Sequence, residues 1–585
     1  MTLRATALIR GFETQTSEGR AMTIPDNATV VDRFLKWEAE RHDAIYLTQP
    51  YADGSVVDYT WGEIGAQARS IAAYLATLGL PEGSRIALLG RNSAHWIMAD
   101  LAIMLAGMVS VPLLPAISAE SARFALAHSD ARLLMLGKLD GSTDNWPKIG
   151  ERLPPGLPLL GLPQSPRRDV PQWDDLVARH APLVEVRRPS PDTLCTIVYT
   201  SGSTGEPKGV MHSYRSIAAP IRAMERTPWW PTTPDERGFS YLPLAHMAER
   251  IAVETASLAF GYRVFFAESP TTFADDLKRA RPTIFFSVPQ LWNRFYLRVC
   301  DRLPRSKQRA LFALPWVGPQ IKRRILRELG FDCVRIAITA TAPVPIHLTQ
   351  WYRELGLELL DIYGMSENAA FSHVTRAGHA RHGTVGQPQD GVVARIAANG
   401  EIEIRSPGQM LGYHKQPELT AAQTTPDGFF RTGDCGIIDA DGFLTITGRI
   451  KDIFKTAKGK YVVPLPIEQK LLHHPRVEAA CVAGAGCAMP FALLLPTPET
   501  RDALAAGTLA RASLSREFDA LRERVNATIE RHEQLQYCVI AGTSWTVDNA
   551  MLTPTLKIRR AAIEAHYLPR AAQWAQSGQT VVWET

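Results

Sequence analysis

Between residues 29 and 136, short apolar runs alternate with longer amphipathic segments: residues 61–78 carry helical spacing, and residues 85–89 (RIALL) read as a strand. Strands and helices in that order pack as helices over a largely parallel sheet, so the chain is predicted to be α/β. A Pro-rich, weakly patterned stretch at 141–191 reads as a surface excursion between two such lobes. The second lobe is predicted to open at Thr196 with a short strand and to resume the alternation through Phe260, 284–288 and 336–339. From Gly383 to Gly448 short strands such as 401–405 and 443–447 are punctuated by Gly, Pro and Asp, the pattern of a small β-rich subdomain. A Lys-rich strand-and-turn region and a mixed α/β tail follow.

With 585 residues the chain exceeds what one core supports, since cores stop growing at about 250–300 residues. The expected division is a flexible lead-in at 1–28, a large domain of two βα-layered lobes plus the β-rich subdomain at 29–448, and a smaller α+β domain at 449–585. A hydrophobic content of 45%, a charged content of 21% and a mean hydropathy of -0.10 describe an ordinary folded chain. A net charge of +5 is too small at this size to argue for a nucleic-acid partner. Seven scattered cysteines without a CxxC pair suit reduced thiols, so the expected location is cytoplasmic. The first 20 residues lack the apolar segment of a secretory signal. The apolar run 97–114 contains Asp100 and Pro112 and is short for a bilayer span, so it reads as a buried helix followed by a strand. His473-His474 and His532-Glu533 lack the partners of a zinc site, and no zinc is inferred.

The strongest chemical signal is YTSGSTGEPKGV at 199–210, directly after an apolar strand. Glycines at 202 and 205 free the backbone to turn N–H groups toward a phosphate. The hydroxyls of Thr200, Ser201, Ser203 and Thr204 add donors, and Lys208 adds a cation. The segment is a polyphosphate cradle but not a Walker loop, because Gly209 rather than Ser or Thr follows the lysine.

This segment resembles the phosphate loop of the adenylate-forming superfamily of acyl-CoA synthetases, luciferases and peptide-synthetase adenylation domains. Four further motifs resemble that family's in order: DIYGMSE at 361–367 its adenine motif, RTGD at 431–434 its ribose motif, GRIKD at 448–452 its hinge, and PTLK at 554–557 its catalytic lysine motif. The similarity spans about residues 29–567.

The resemblance implies a set of roles. Asp361, Tyr363 and Gly364 belong to the adenine site, where a flat Tyr363 ring can stack on the base for about 1–3 kcal/mol. Thr341, within TATAP at 339–343, would line the same pocket with backbone. Ser366 stands where many relatives have Thr, and its hydroxyl preserves an α-phosphate contact. Glu367 offers a hard carboxylate oxygen suited to Mg²⁺, with Thr200 as the second protein contact to that ion. Asp434 would accept hydrogen bonds from the ribose hydroxyls, and Arg449 would reach the sugar or phosphate. Attack by a carboxylate on the α-phosphorus of ATP brings anions together, so Lys557 and Lys208 would offset their charge. In the second half-reaction a thiol needs the space that Lys557 holds. The family's C-terminal domain is therefore mobile, turning at the position of Lys451 to present a glycine hairpin, here Gly459 and Lys460, to the coenzyme A path.

LPLAHMAER at 242–250 and FKTAKGKYVVP at 454–464 resemble the long-chain fatty acyl-CoA synthetase branch, which implies a medium- to long-chain fatty acid as substrate. His246 would sit beside the acyl carboxylate or act as a plain buried histidine. Two alternatives remain open at this point: an acyl-AMP ligase that loads a carrier protein, and a noncatalytic nucleotide-binding protein. Finally, residues 302–329 hold eight basic residues (Arg302, Arg305, Lys307, Arg309, Lys322, Arg323, Arg324, Arg327) and one acid, Glu328. Interleaved with Phe312, Leu314, Trp316, Ile321, Ile325 and Leu326, they could rest on the anionic inner face of a membrane or form a solvated basic face over core.

Overall fold

The computed structural model describes residues 27–140, 146–200, 207–230, 233–342, 344–546, 549–553 and 557–584. Of the expected lead-in, residues 1–26 lie outside them. Among the described residues, helices lie against several twisted sheets. The first sheet runs, in spatial order, Gly412–Tyr413, Lys208–Ser213, Leu194–Thr200, Val109–Leu113, Arg85–Leu89, Leu133–Leu136 and Leu159–Gly161. Its middle strands are parallel, and Lys208–Ser213 folds back antiparallel on Leu194–Thr200. A second sheet holds Ile284–Ser287, Ile336–Ala340 and Leu359–Tyr363 in parallel, and a third brings Ile45–Pro50 beside Arg263–Phe266.

Two expectations about the lobes need correction. The strand containing Thr196 does not open a second lobe: Thr196 pairs in parallel with Ser110, inside the first sheet. Strand order is a long-range property that local pattern cannot reveal. The stretch 141–191 is likewise more than an excursion. Leu159–Gly161 adds a parallel strand beside Leu133–Leu136, and the helix Trp173–Arg179 buries Trp173, whose Nε1 donates to Gln67 Oε1 at 2.9 Å. A three-residue strand is too short to produce a periodic signal.

Local chemistry explains the helix starts. Thr29 caps Val30–Glu40 and Thr60 caps Trp61–Thr77, each in a reciprocal capping box that satisfies amides the helix leaves unpaired. The apolar run forms the fully buried helix Ala94–Leu105 and the strand Val109–Leu113. Among the described residues no helix is long and apolar enough to cross a membrane. Asp100, inside that helix, is buried and bonded to Arg250, which also contacts Glu254 at 3.3 Å and donates to Thr196 Oγ1 at 2.7 Å. This buried cation ties the helix to the strand that leads into the phosphate loop.

Residues 393–449 form the antiparallel sheet Val393–Ile396, Glu401–Arg405, Phe430–Ile438 and Leu444–Arg449. Beyond Asp452, the sheet Val477–Ala483, Phe491–Pro496, Cys538–Ile540 and Val581–Trp583 has a core on each face. Val482, Leu494 and Phe518 lie on one side, and Leu493, Tyr567 and Trp574 on the other.

Candidate active site

The phosphate segment closes a hairpin, since Thr200 and Lys208 are directly paired across the two strands. Ser201, Gly202, Ser203, Thr204 and Gly205 lie outside the described residues. Beside this hairpin the short strand Gly412–Tyr413 pairs with Met211 and Val210, and His414 N donates to the Gly209 carbonyl at 2.7 Å. The seating brings the Tyr413 ring under the Lys208 ammonium, 5.2 Å from Nζ to the ring centre. The Tyr413 hydroxyl donates to Glu367 Oε1 at 2.8 Å. One aromatic ring therefore joins the cation and the carboxylate that the sequence assigns to phosphate and Mg²⁺. Among the described residues Glu367 Oε2 has no hydrogen-bond partner, so a hard oxygen remains for the ion.

The adenine motif leaves the strand Leu359–Tyr363 in a tight turn. Gly364 is required there, because a Cβ would collide with the backbone of Ala370. Asn368 Oδ1 accepts from Met365 N at 2.9 Å and fixes the turn that carries Ser366 and Glu367. His212, on the strand after the phosphate loop, donates through Nε2 to the Ser366 carbonyl at 2.6 Å. Burial pushes its imidazole down to about 4, with the bond to Ser366 opposing the shift. Asp361 pairs in register with Thr339 and is buried, which pushes its carboxyl well above the usual range. Thr341, just beyond the strand Ile336–Ala340, has φ +78°, a region costly for a β-branched residue.

Asp434 and Arg449 are cross-strand partners, and Arg449 Nε lies 2.8 Å from Asp434 Oδ1. The other oxygen, Oδ2, accepts from the Tyr363 hydroxyl at 2.7 Å. The ribose and adenine motifs, 71 residues apart, are thus bonded directly. Asp434 holds the Arg449 guanidinium above its usual pKa.

Lys557 stands in a small hairpin closed by the bridge between Leu552 and Ile558, its N–H donating to Thr553 Oγ1 at 3.0 Å. Residues 554–556 of its motif lie outside the described residues. The Lys557 ammonium is held below its usual pKa by desolvation and then by the positive charge of Arg449, while Asp434 opposes. The same ammonium acts on His246, whose imidazole burial first pushes down to about 4. His246 caps the short helix Met247–Glu249, its Nδ1 accepting from Ala248 N at 3.3 Å. Lys557 is therefore within electrostatic reach of Asp434, Arg449 and His246 together.

Lys451 lies in the turn Ile450–Asp452, held below its usual pKa by desolvation and then by Arg449, with Lys208 also contributing. Gly459 takes φ +76° at the tip between Phe454–Lys455 and Tyr461–Val462. The backbone bonds of that hairpin run to its own unit, Ala457 N to the Cys487 carbonyl at 2.8 Å. Among the described residues no bond joins Gly459 or Lys460 to the Lys208, Glu367 and Asp434 group.

Sequence reasoning missed Tyr413 and His212. Each acts by holding a motif residue of a distant segment. Tyr413 carries no sequence signal in its Gly-Tyr pair, whereas His212 sits two strand positions beyond the first apolar residue after Lys208.

The family description "AMP-binding enzyme" matches residues 34–414, and "AMP-binding enzyme C-terminal domain" matches residues 451–572. The chain belongs to the AMP-binding enzyme family, and its fold is that of adenylate-forming enzymes. It is 29% identical over 595 residues to the long-chain-fatty-acid–CoA ligase FadD15 of Mycobacterium tuberculosis, covering 93% of this chain and 97% of that protein. It is 27% identical over 580 residues to fatty acyl-CoA synthetase A of Dictyostelium discoideum, covering 88% and 86%. Among solved structures, the adenylation domain of a carboxylate reductase from Mycobacterium chelonae superposes with a TM-score of 0.78 at 22% identity, over 95% of this chain and 92% of that one. The anthranilate CoA ligase AuaEII, in complex with anthranoyl-AMP, gives 0.75 at 20% identity over 94% and 99%.

Proposed function

We propose that the protein activates a carboxylic acid with ATP, releasing pyrophosphate to form an acyl-AMP, and then transfers the acyl group to coenzyme A. The observation that carries this reading is the direct bonding of the adenine and ribose motifs, Tyr363 to Asp434 and Asp434 to Arg449, with the Lys557 ammonium acting electrostatically on the same pair and on His246. Tyr363 and Asp434 would hold the nucleoside, the ring against adenine and the carboxylate on the ribose hydroxyls. Arg449 keeps the Asp434 carboxylate aimed. Lys208 and Thr200 would hold the outgoing phosphates, and Glu367, oriented by Tyr413, would hold Mg²⁺ together with Thr200. When bound, that ion supplies charge neutralisation for the pyrophosphate. Lys557 would draw the acid oxygen and the α-phosphate together, offsetting repulsion between two anions. The low pKa of His246 keeps its imidazole neutral beside the acid, so it can donate a hydrogen bond without pairing with the carboxylate.

Thioester formation then requires Lys557 to leave, because a thiol must reach the carbonyl it guards. A turn at Lys451 would withdraw it and bring the Gly459–Lys460 hairpin to the pantetheine path. A medium- to long-chain fatty acid is the proposed substrate. The named activities of the relatives in Mycobacterium and Dictyostelium support it, as do the two segments at 242–250 and 454–464. The test is pyrophosphate release across acids from acetate to oleate, followed by thioester formation with coenzyme A or with a phosphopantetheinyl carrier protein. A long-chain optimum with coenzyme A as acceptor is expected. Absence of pyrophosphate release with every acid would overturn the activity, and exclusive use of the carrier would overturn the acceptor.

A further inference from the structure

The basic segment 302–329 plays no part in the proposed chemistry, and its geometry is unusual for a solvated face. It forms two helices, Arg305–Phe312 and Val317–Leu329, folded as a hairpin. The hairpin closes because Gly318 lets the second helix start against the Phe312 carbonyl, where a Cβ would not fit. Phe312, Ile325 and Leu326 face inward onto the core around Trp292 and Phe331. The tip faces outward. Trp316 is 86% exposed, flanked by Leu314 at 45% and Val317 at 46%. Among the described residues no other tryptophan is so exposed. Trp316 also adopts φ +68°, a left-handed conformation that a bulky residue takes at a cost.

The two helices that carry this apolar tip present Lys307, Arg309, Lys322, Arg323, Arg324 and Arg327, none with an ion-pair partner among the described residues. Lys322 rests over the Phe312 ring at 5.3 Å, and Arg305 alone of the hairpin's cations is neutralised, by Glu354 at 2.9 Å. Glu328 is the one acid on the two helices. A face meant only for water gains nothing from an exposed aromatic tip. An acidic protein surface would match the charge but leave that tip without an apolar recess. An anionic bilayer accommodates both features, with lysine and arginine at the phosphates and tryptophan at the boundary of headgroups and acyl chains.

We propose that this hairpin docks the protein on anionic lipid, with Trp316 inserted at headgroup depth. The inference is independent of the acyl-activating reading, since it concerns where the protein rests and not what it turns over. The full chain is sedimented with phosphatidylcholine vesicles containing or lacking phosphatidylglycerol. Binding is expected only to the anionic vesicles and to weaken as salt rises. Each basic residue near such a surface contributes about a fivefold increase in partition, so Arg323→Gln with Arg324→Gln lowers it about 25-fold. Trp316→Ser lowers it about tenfold with the charge unchanged. The thermal midpoint of each variant in vesicle-free buffer is expected to equal the parent's, which separates lost docking from lost folding. Three results would each overturn the proposal: parent protein left in the supernatant, equal binding to both vesicle types, or unchanged binding by both variants.

Discussion

Asp434→Asn probes the nucleoside site most directly, because both oxygens of this carboxylate have a bonded partner among the described residues. Its Oδ1 faces Arg449 at 2.8 Å and its Oδ2 accepts from Tyr363 at 2.7 Å. The amide that replaces it keeps one accepting oxygen and turns the other position into a donor, which now meets a donor. One charge-assisted hydrogen bond is lost, worth about 1.5–3 kcal/mol, which corresponds to roughly a 10- to 150-fold rise in KM for ATP. The rise in KM should exceed the fall in kcat, because the ribose hydroxyls stay bound in ground and transition states alike. Tyr363→Phe keeps the ring but removes the donor, and a loss of about 1 kcal/mol is expected, roughly fivefold in KM. If Tyr363 works by aiming Asp434, the double variant loses less than the sum of the two. ATP-dependent pyrophosphate release at saturating acid measures all four corners of the cycle. Unchanged KM in Asp434→Asn, or strict additivity in the cycle, would refute the assignment of this carboxylate to the sugar.

Lys557→Ala is expected to slow adenylation about a thousandfold, the effect of removing about 4 kcal/mol of close charge pairing, while thioester formation from supplied acyl-AMP persists. Equal loss of both half-reactions would contradict that division. Tyr413→Phe removes the bond that orients Glu367, so the Mg²⁺ concentration for half-maximal pyrophosphate release should rise about tenfold, and an unmoved titration would dismiss Tyr413 as a positioning residue. Arg250→Met strands Asp100 and Glu254 in the core and should cost about 3–5 kcal/mol in denaturant unfolding, recovered when both acids are also made apolar. The imidazole of His212 titrates near 6.5 in the unfolded chain and is held at about 4 in the fold, so the unfolded chain binds the extra proton between these values. Stability should be complete above pH 6.5 and fall as the pH drops through that window, and His212→Asn should flatten the slope; an identical slope would show that His212 contributes nothing to it.

Local signals reached far in this chain because much of its chemistry is written in contiguous runs. The alternation of residues 29–136 prescribed an α/β fold, the spacing of 61–78 marked a helix, and the glycines and hydroxyls of 199–210 called for a phosphate. Glu367, Asp434 and Lys557 could be named because each stands in a short contiguous motif that resembles one of the adenylate-forming superfamily. What joins those motifs is not local. The bond from Tyr363 to Asp434, the Tyr413 ring between Lys208 and Glu367, and the grip of His212 on Ser366 all cross from one segment to another. The same is true of Thr196, which looked like the start of a new lobe until strand pairing set it beside Ser110. The exposure of Trp316 also had to await the fold, since an aromatic among lysines and arginines carries the same letters whether it points into a core or into solvent. Periodicity, caps and turn chemistry act over a few residues and so are legible in order along the chain. Registers, ring contacts and burial come from packing surfaces that meet only after folding, and they alone decide which of the named residues act on one another.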